Sequence, residues 1–334
     1  MKISHHCWLA LILIILTPIT HSKSFSIGLW GDMPYNKNND GAKDGEKMLR
    51  LIQSINQSKL AFTVFDGDSK DGSSLCSDDA IGSEVHALFQ RLQSPAIYVL
   101  GDNEWTDCHR LNNGGYDALE RLAFLRKTFF ATPYSLGQQK IKVERQPNYP
   151  ENSRWRYGSV MFVGLNVTGS NNNKIEPEQC LASTSARTVE QCAASQIEYT
   201  ARDAANGAFL RQSFDLAKQQ QLRGLMVIIQ ADMGFDLPES PVVDERSLKI
   251  FNGYNSFLAT LAEETTNYQG QVVLVHGDTH FFKIDKPLWS PTRLIKNFTR
   301  VETFGSPHLH WIKATIDEHN PNVFIFQPVM VNGN

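Results

Sequence analysis

An α/β fold with a mixed sheet is predicted by three features of the 334-residue sequence. Short apolar, β-branched or aromatic runs recur along the chain, helical patterns lie between several of them, and the C-terminal segments alternate without any helical pattern. In chain order, FSIGLW from Phe25, AFTVF from Ala61, AIYVL from Ala96, SVMFVGL from Ser159, LMVII from Leu225 and QVVLV from Gln271 read as buried strands. GEKMLRLIQSI from Gly45, IGSEVHALFQRL from Ile81, YDALERLAFLRKTFF from Tyr116 and FLRQSFDLAKQQQ from Phe209 read as helices. Strands alternating with helices imply parallel pairing. RVETFGSPHLHWIKATID from Arg300 and NVFIFQPVMV from Asn322 read as antiparallel strands, which makes the sheet mixed.

With 41% hydrophobic and 20% charged residues, the chain can bury a substantial core. A net charge of -3 without blocks of one sign gives no nucleic-acid surface and points to small-molecule partners. The start, MKISHHCWLALILIILTPITHSKS, has a lysine, an apolar run from Trp8 to Leu16 and small or polar residues by Ser22. It reads as a secretory signal over residues 1–22, too short an apolar run to span a bilayer. Nothing after it is long enough to span, so a single exported domain, periplasmic or secreted, is expected over 23–334. A loop-rich insertion at about 139–200, rich in Asn, Ser, Pro and Gln, interrupts the α/β rhythm.

Signal removal leaves Cys76, Cys108, Cys180 and Cys192, an even set for an oxidising compartment. Cys180 with Cys192 and Cys76 with Cys108 is the favoured pairing; the other two pairings stay open. No C-x-x-C spacing marks a thiolate metal site.

Gly-Asp occurs four times, each time directly after an apolar run: at Asp32, Asp68, Asp102 and Asp278. Gln230 and Asp232 end a fifth run. Ligand sites of open α/β sheets gather outside the carboxyl ends of strands, so these residues should converge. Glycine before each aspartate permits a sharp exit and close backbone approach. Crowded carboxylates repel, and a bound cation removes the conflict.

The series GDMPY, GDSKDG, GDNEWTDC, VIIQAD and HGDTH resembles the ordered motifs of the calcineurin-like metallophosphoesterases: D-x-H, G-D, G-N-H-[ED], a lone His and G-H-x-H. The resemblance runs from Asp32 to His280. It implies a four-layer α/β/β/α sandwich with two mixed β-sheets and a site for two divalent ions. It further implies Asp68 as the bridging ligand, Asp32 and His280 on one ion, and Asn103, Gln230 and Asp278 on the other. Glu104 stands where the family has its proton-donating histidine, and His276, one step upstream of the last motif, is a second catalytic candidate.

Positions usually histidine in that family are Pro34, Glu104, Gln230 and Asp278 here. The remaining donor set is rich in oxygen, which favours manganese, iron, magnesium or calcium over zinc. The implied activity is hydrolysis of a phosphate mono- or diester, small-molecule or lipid, by a metal-activated water. The alternative is a non-catalytic member of the fold that binds a metal or a phosphorylated ligand. Tyr35, Lys70, Asp71, Trp105 and Asp107 flank the ligand candidates, and His308 and His310 alternate on a strand; the simpler reading of each is structural. Asn56, Asn166 and Asn297 head N-glycosylation patterns.

Overall fold

The computed structural model describes residues 24–35, 45–180, 182–235, 248–290 and 293–334. The expected signal segment lies outside the described residues. Among the described residues, fourteen strands run in chain order as β1 (Phe25–Trp30), β2 (Thr63–Phe65), β3 (Ala96–Tyr98), β4 (Glu144–Gln146), β5 (Tyr149–Tyr157), β6 (Val160–Gly164), β7 (Gly224–Ile228), β8 (Gln271–His276), β9 (Lys283–Asp285), β10 (Trp289–Ser290), β11 (Arg293–Leu294), β12 (Phe298–Glu302), β13 (Trp311–Ile316) and β14 (Phe324–Val329).

Two mixed sheets form the centre. One has the order β14-β13-β1-β2-β3, the other β4-β5-β6-β7-β8-β12-β9. The first six apolar runs of the sequence supply parallel strands: β1, β2 and β3 in one sheet and β6, β7 and β8, joined by β12, in the other. The C-terminal β13 pairs antiparallel with both β1 and β14, as its alternating pattern predicts.

The near-continuous apolarity of these runs follows from burial on both faces. Along β7, Leu225 and Val227 point to a cluster under the helices Val189–Gln219 and Asn255–Thr266, while Met226 and Ile228 point between the sheets. Along β1, Ile27 and Leu29 point between the sheets and Trp30 points under the helices on the far side. Three helices, Gly45–Gln57, Glu84–Gln90 and Ala118–Phe129, cover that side. The result is a helix/sheet/sheet/helix sandwich. In its middle layer Phe162 packs edge-on to Phe62 at 5.0 Å and stacks on Trp155 at 5.4 Å; truncating such a ring to alanine costs about 3–5 kcal/mol.

The segment expected to be loop-rich, 139–200, carries three strands of the larger sheet, β4 to β6, and the start of the helix Val189–Gln219. That helix is begun by a capping box between Thr188 and Gln191. The favoured cysteine pairing is the one present, Cys76–Cys108 and Cys180–Cys192. Among the described residues no helix is long and apolar enough to cross a membrane. Asn166, one of the three glycosylation candidates, is buried.

Candidate metal centre

The turns leaving β1, β2, β3, β7 and β8 meet at one end of the sandwich. Asp32, Asp68, Asp278 and His280 all have left-handed backbones there, with φ of 50°, 59°, 78° and 69°. Aspartate is among the few side chains that adopt this conformation readily, which suits it to these tight strand exits.

Two glycines of the repeated Gly-Asp pairs interlock with the carboxylates of other pairs. A Cβ on Gly101 would lie 2.0 Å from Asp68 Oδ1, and one on Gly277 would lie 1.9 Å from Asp32 Oδ2. Each glycine therefore makes the space in which the aspartate of another strand sits. The repetition seen in the sequence is a packing requirement as well as a turn requirement.

Oxygen atoms of Asp68, Asp102 and Asp278 lie within 4.8 Å of one another. Asp32 accepts from the Asp278 backbone N–H at 3.1 Å and faces His280 Nε2 at 3.4 Å. His280 Nδ1 lies 2.8 Å from Ser306 O. A carbonyl only accepts, so Nδ1 carries a proton, and Nε2 is the ring nitrogen that faces Asp32. Tyr35 Oη stands 3.2 Å from Asp68 Oδ2 and 3.4 Å from His280 Nε2.

Burial first, then the neighbouring Asp102, pushes both Asp68 and Asp278 well above the usual carboxylate range. Burial also raises Asp32, against the pull of His280. A divalent cation among these oxygens would remove the repulsion and stabilise the ionised forms, so the donor set fits such an ion.

The two amides are turned differently from expectation. Gln230 Oε1 accepts from the Gly169 N–H at 2.5 Å, and its Nε2 faces Asp102 and Asp278 at 3.2 and 3.3 Å. An amide nitrogen has no lone pair for an ion, so Gln230 acts as a donor to the acids, and the ligand role expected of it does not fit. Asn103 likewise directs Nδ2 to Asp68 Oδ2 at 2.7 Å and would ligate only after its carboxamide turns over.

Glu104 differs more. It is fully buried, and its carboxylate accepts from the backbone N–H groups of Asp68 at 3.3 Å, Ser69, and Gly101 at 2.9 Å. These bonds hold the β2 and β3 exits together, and they leave Glu104 placed to fix Asp68 rather than to give a proton to a leaving group. His276 does not join the acid cluster. It is fully buried, with Nδ1 against Gly277 O at 2.9 Å, and it groups with Asp232 and Glu302.

Sequence reading left Asp102, Tyr35 and Ser170 out of the ligand set. Asp102 was legible as the third Gly-Asp. Ser170, whose Oγ lies 2.8 Å from Asp102 Oδ2 and 2.7 Å from Asp107 Oδ1 and bridges the two, had no such signal. It begins a run of four left-handed residues, Ser170 to Asn173, within the insertion. His310 lies away from the acids, accepting from Val331 N at 3.2 Å.

A cavity of about 470 Å³ opens beside Asp278 and Asp107, with Arg110, Lys174 and Arg187 on its wall. The Cys76–Cys108 bridge, fully buried, ties the loop carrying Asp68 to the loop carrying Asn103.

No family model matches the chain, and no curated protein matches it. Among solved structures, PhoD matches with a TM-score of 0.52 and 11% identity, over 90% of this chain and 65% of that one. GAP50, the anchor in the inner membrane complex of Plasmodium, matches with a TM-score of 0.47 and 12% identity over 93% and 90% of the two chains. A dimetal phosphatase from Danio rerio matches with a TM-score of 0.47 and 13% identity over 87% and 92%. At such identities likeness speaks for fold alone. Together with the two mixed sheets, the PhoD match gives this chain the calcineurin-like metallophosphoesterase fold, carried by a divergent sequence.

Proposed function

We propose that the chain is an exported, metal-dependent phosphoesterase. The observation that supports this best is the meeting of Asp32, Asp68, Asp102, Asp278 and His280 at the strand ends, with three carboxylates close enough to share ions. Asp32, Asp68 and His280, with Tyr35 beside them, would hold one divalent ion. Asp68, Asp102 and Asp278, with Asn103 after its amide turns, would hold the other. Such ions, when bound, supply Lewis acidity toward a phosphate oxygen and lower the pKa of a water.

The chain's own groups divide the remaining work. Ser306 O fixes the tautomer of His280. Glu104 clamps the backbone around Asp68, a positioning role in place of the proton transfer expected from its sequence position. Gln230 and Ser170 donate to Asp102 and so orient it. The oxygen-rich donor set favours manganese, iron, magnesium or calcium. Arg110, Lys174 and Arg187 line the adjoining cavity together with Asp107, Glu178, Asp232 and Asp278, so its walls carry both signs of charge. The signal-like N-terminus and the two disulfides support export.

The deciding experiment is metal content on disulfide-intact protein offered manganese, iron, zinc, magnesium and calcium in turn, followed by hydrolysis of p-nitrophenyl phosphate and bis-p-nitrophenyl phosphate. Bound ions with turnover support the proposal. Bound ions without turnover on any phosphoester would move the reading to a binding protein, and no ions at all would end it.

A further inference from the structure

We infer that Asp232, His276 and Glu302 form another divalent-cation site, distinct from the strand-end acids and behind the turn that carries Asp278 and His280. The three residues come from the exits of β7 and β8 and the last position of β12. Their ligand atoms lie within 4.8 Å of one another, and their exposures are 4%, 0% and 0%.

Each carboxylate is half committed. Asp232 Oδ1 accepts from the N–H groups of Gly234 and Phe235 at 2.8 and 2.9 Å. Glu302 Oε1 accepts from Thr279 Oγ1 at 2.6 Å and Phe281 N at 2.8 Å. The other two oxygens, Asp232 Oδ2 and Glu302 Oε2, are buried and have no hydrogen-bond donor among the described residues. On His276, Nδ1 donates to Gly277 O, which leaves the lone pair on Nε2. Buried polar atoms in native proteins find partners, and two such oxygens beside an imidazole form a donor set for a cation.

Charge supports the same conclusion. Among the described residues Arg300 is the nearby cation, and its Nε and Nη2 are taken by Asp285 at 2.7 and 2.5 Å. Its Nη1 is 3.8 Å from Asp232 Oδ2, beyond hydrogen-bond reach. One guanidinium thus faces three carboxylates, an excess of two negative charges. A divalent ion balances that excess. One imidazole with two carboxylates suits zinc or manganese, the remaining positions being filled by water. An ion there would brace the 277–281 turn, since Glu302 already holds Thr279 and Phe281.

The test uses the full chain loaded with manganese or zinc. Metal per chain is measured by plasma mass spectrometry for wild type, Glu302→Gln and Asp68→Asn, and anomalous difference density is collected from wild-type crystals at the metal edge. The expected results are one ion fewer in Glu302→Gln than in wild type, one ion retained in Asp68→Asn, and an anomalous peak among Asp232, His276 and Glu302. Equal metal content in wild type and Glu302→Gln, or no peak at that position, overturns the inference and leaves a proton or water as the closing partner. If Glu302→Gln does not fold, the wild-type map decides alone. Failure of the strand-end assignment would be a different result, with those peaks missing and this one present.

Discussion

The two ends of the larger sheet differ in a way that cavity size does not reveal. At the amino ends of β7 and β8 a cleft of about 580 Å³ is lined by Leu222, Arg223, Tyr268 and Gln271, and none of its lining residues is Asp, Glu or His. At the carboxyl ends the cavity is smaller, about 470 Å³, yet Asp107, Asp232 and Asp278 line it beside the acid cluster. Space alone costs a fold little. Buried like charges are costly, and their concentration at one end is what distinguishes a chemical site from a surface cleft.

Removing Asp68, the acid proposed to serve both ions, should break this contrast most completely. Asp68→Asn is expected to lower kcat/KM for phosphoesters by a factor of about 10³ or more, with loss of the strand-end ions and an unchanged circular dichroism spectrum. Full activity in this variant would sink the dinuclear assignment. Next comes Glu104→Ala, which strands three backbone N–H groups; a destabilisation of about 2–4 kcal/mol is expected. Because Glu104 positions Asp68 and transfers no proton, Glu104→Gln should keep the pH–rate profile of the wild type, and loss of the profile's basic limb would restore its role as an acid.

Asp278→His exchanges an oxygen donor for a nitrogen and should shift metal preference toward zinc, read as competition between manganese and zinc. A preference that does not move would place Asp278 outside the ion's ligands. The pH dependence is subtler. Burial, then Asp102, pushes Asp107 up to about 7, and burial pushes Glu302 up to about 7. Above the ordinary carboxylate value of about 4, the unfolded chain releases protons that the folded chain keeps, so these groups make the metal-free protein less stable as pH rises from about 4 to 7. Bound cations take the place of those protons. The gap between metal-loaded and metal-free melting temperatures should therefore widen as pH rises across that interval, and a constant gap would argue against acids in conflict. The smallest effect belongs to the other end of the sheet: Arg223→Ala should leave stability within about 0.5 kcal/mol and turnover unchanged.

Much of the architecture was legible because burial on both faces leaves a continuous apolar record, as in LMVII and QVVLV. The Gly-Asp pairs were legible for a related reason, since Gly31, Gly101 and Gly277 each have to clear another strand's carboxylate and Gly67 the Gln230 side chain. Two kinds of information were not. The direction of an amide is set by a partner far away in sequence, so Gln230 looked like a ligand until Gly169, 61 residues earlier, took its oxygen. Glu104 occupied a motif position, and only the folded backbone shows three amides closing on its carboxylate. Ser170 lay within what read as a loop-rich insertion, where neither periodicity nor motif marks a residue that reaches Asp102.

The interlocking of Gly101 with Asp68 and of Gly277 with Asp32 bears on how this site can change over generations. A larger residue at either glycine collides with an acid on another strand, and an acid shortened or lost leaves its glycine facing an empty notch. Viable variation should therefore travel in pairs across the sheet, and libraries that randomise one position at a time will find almost every door closed.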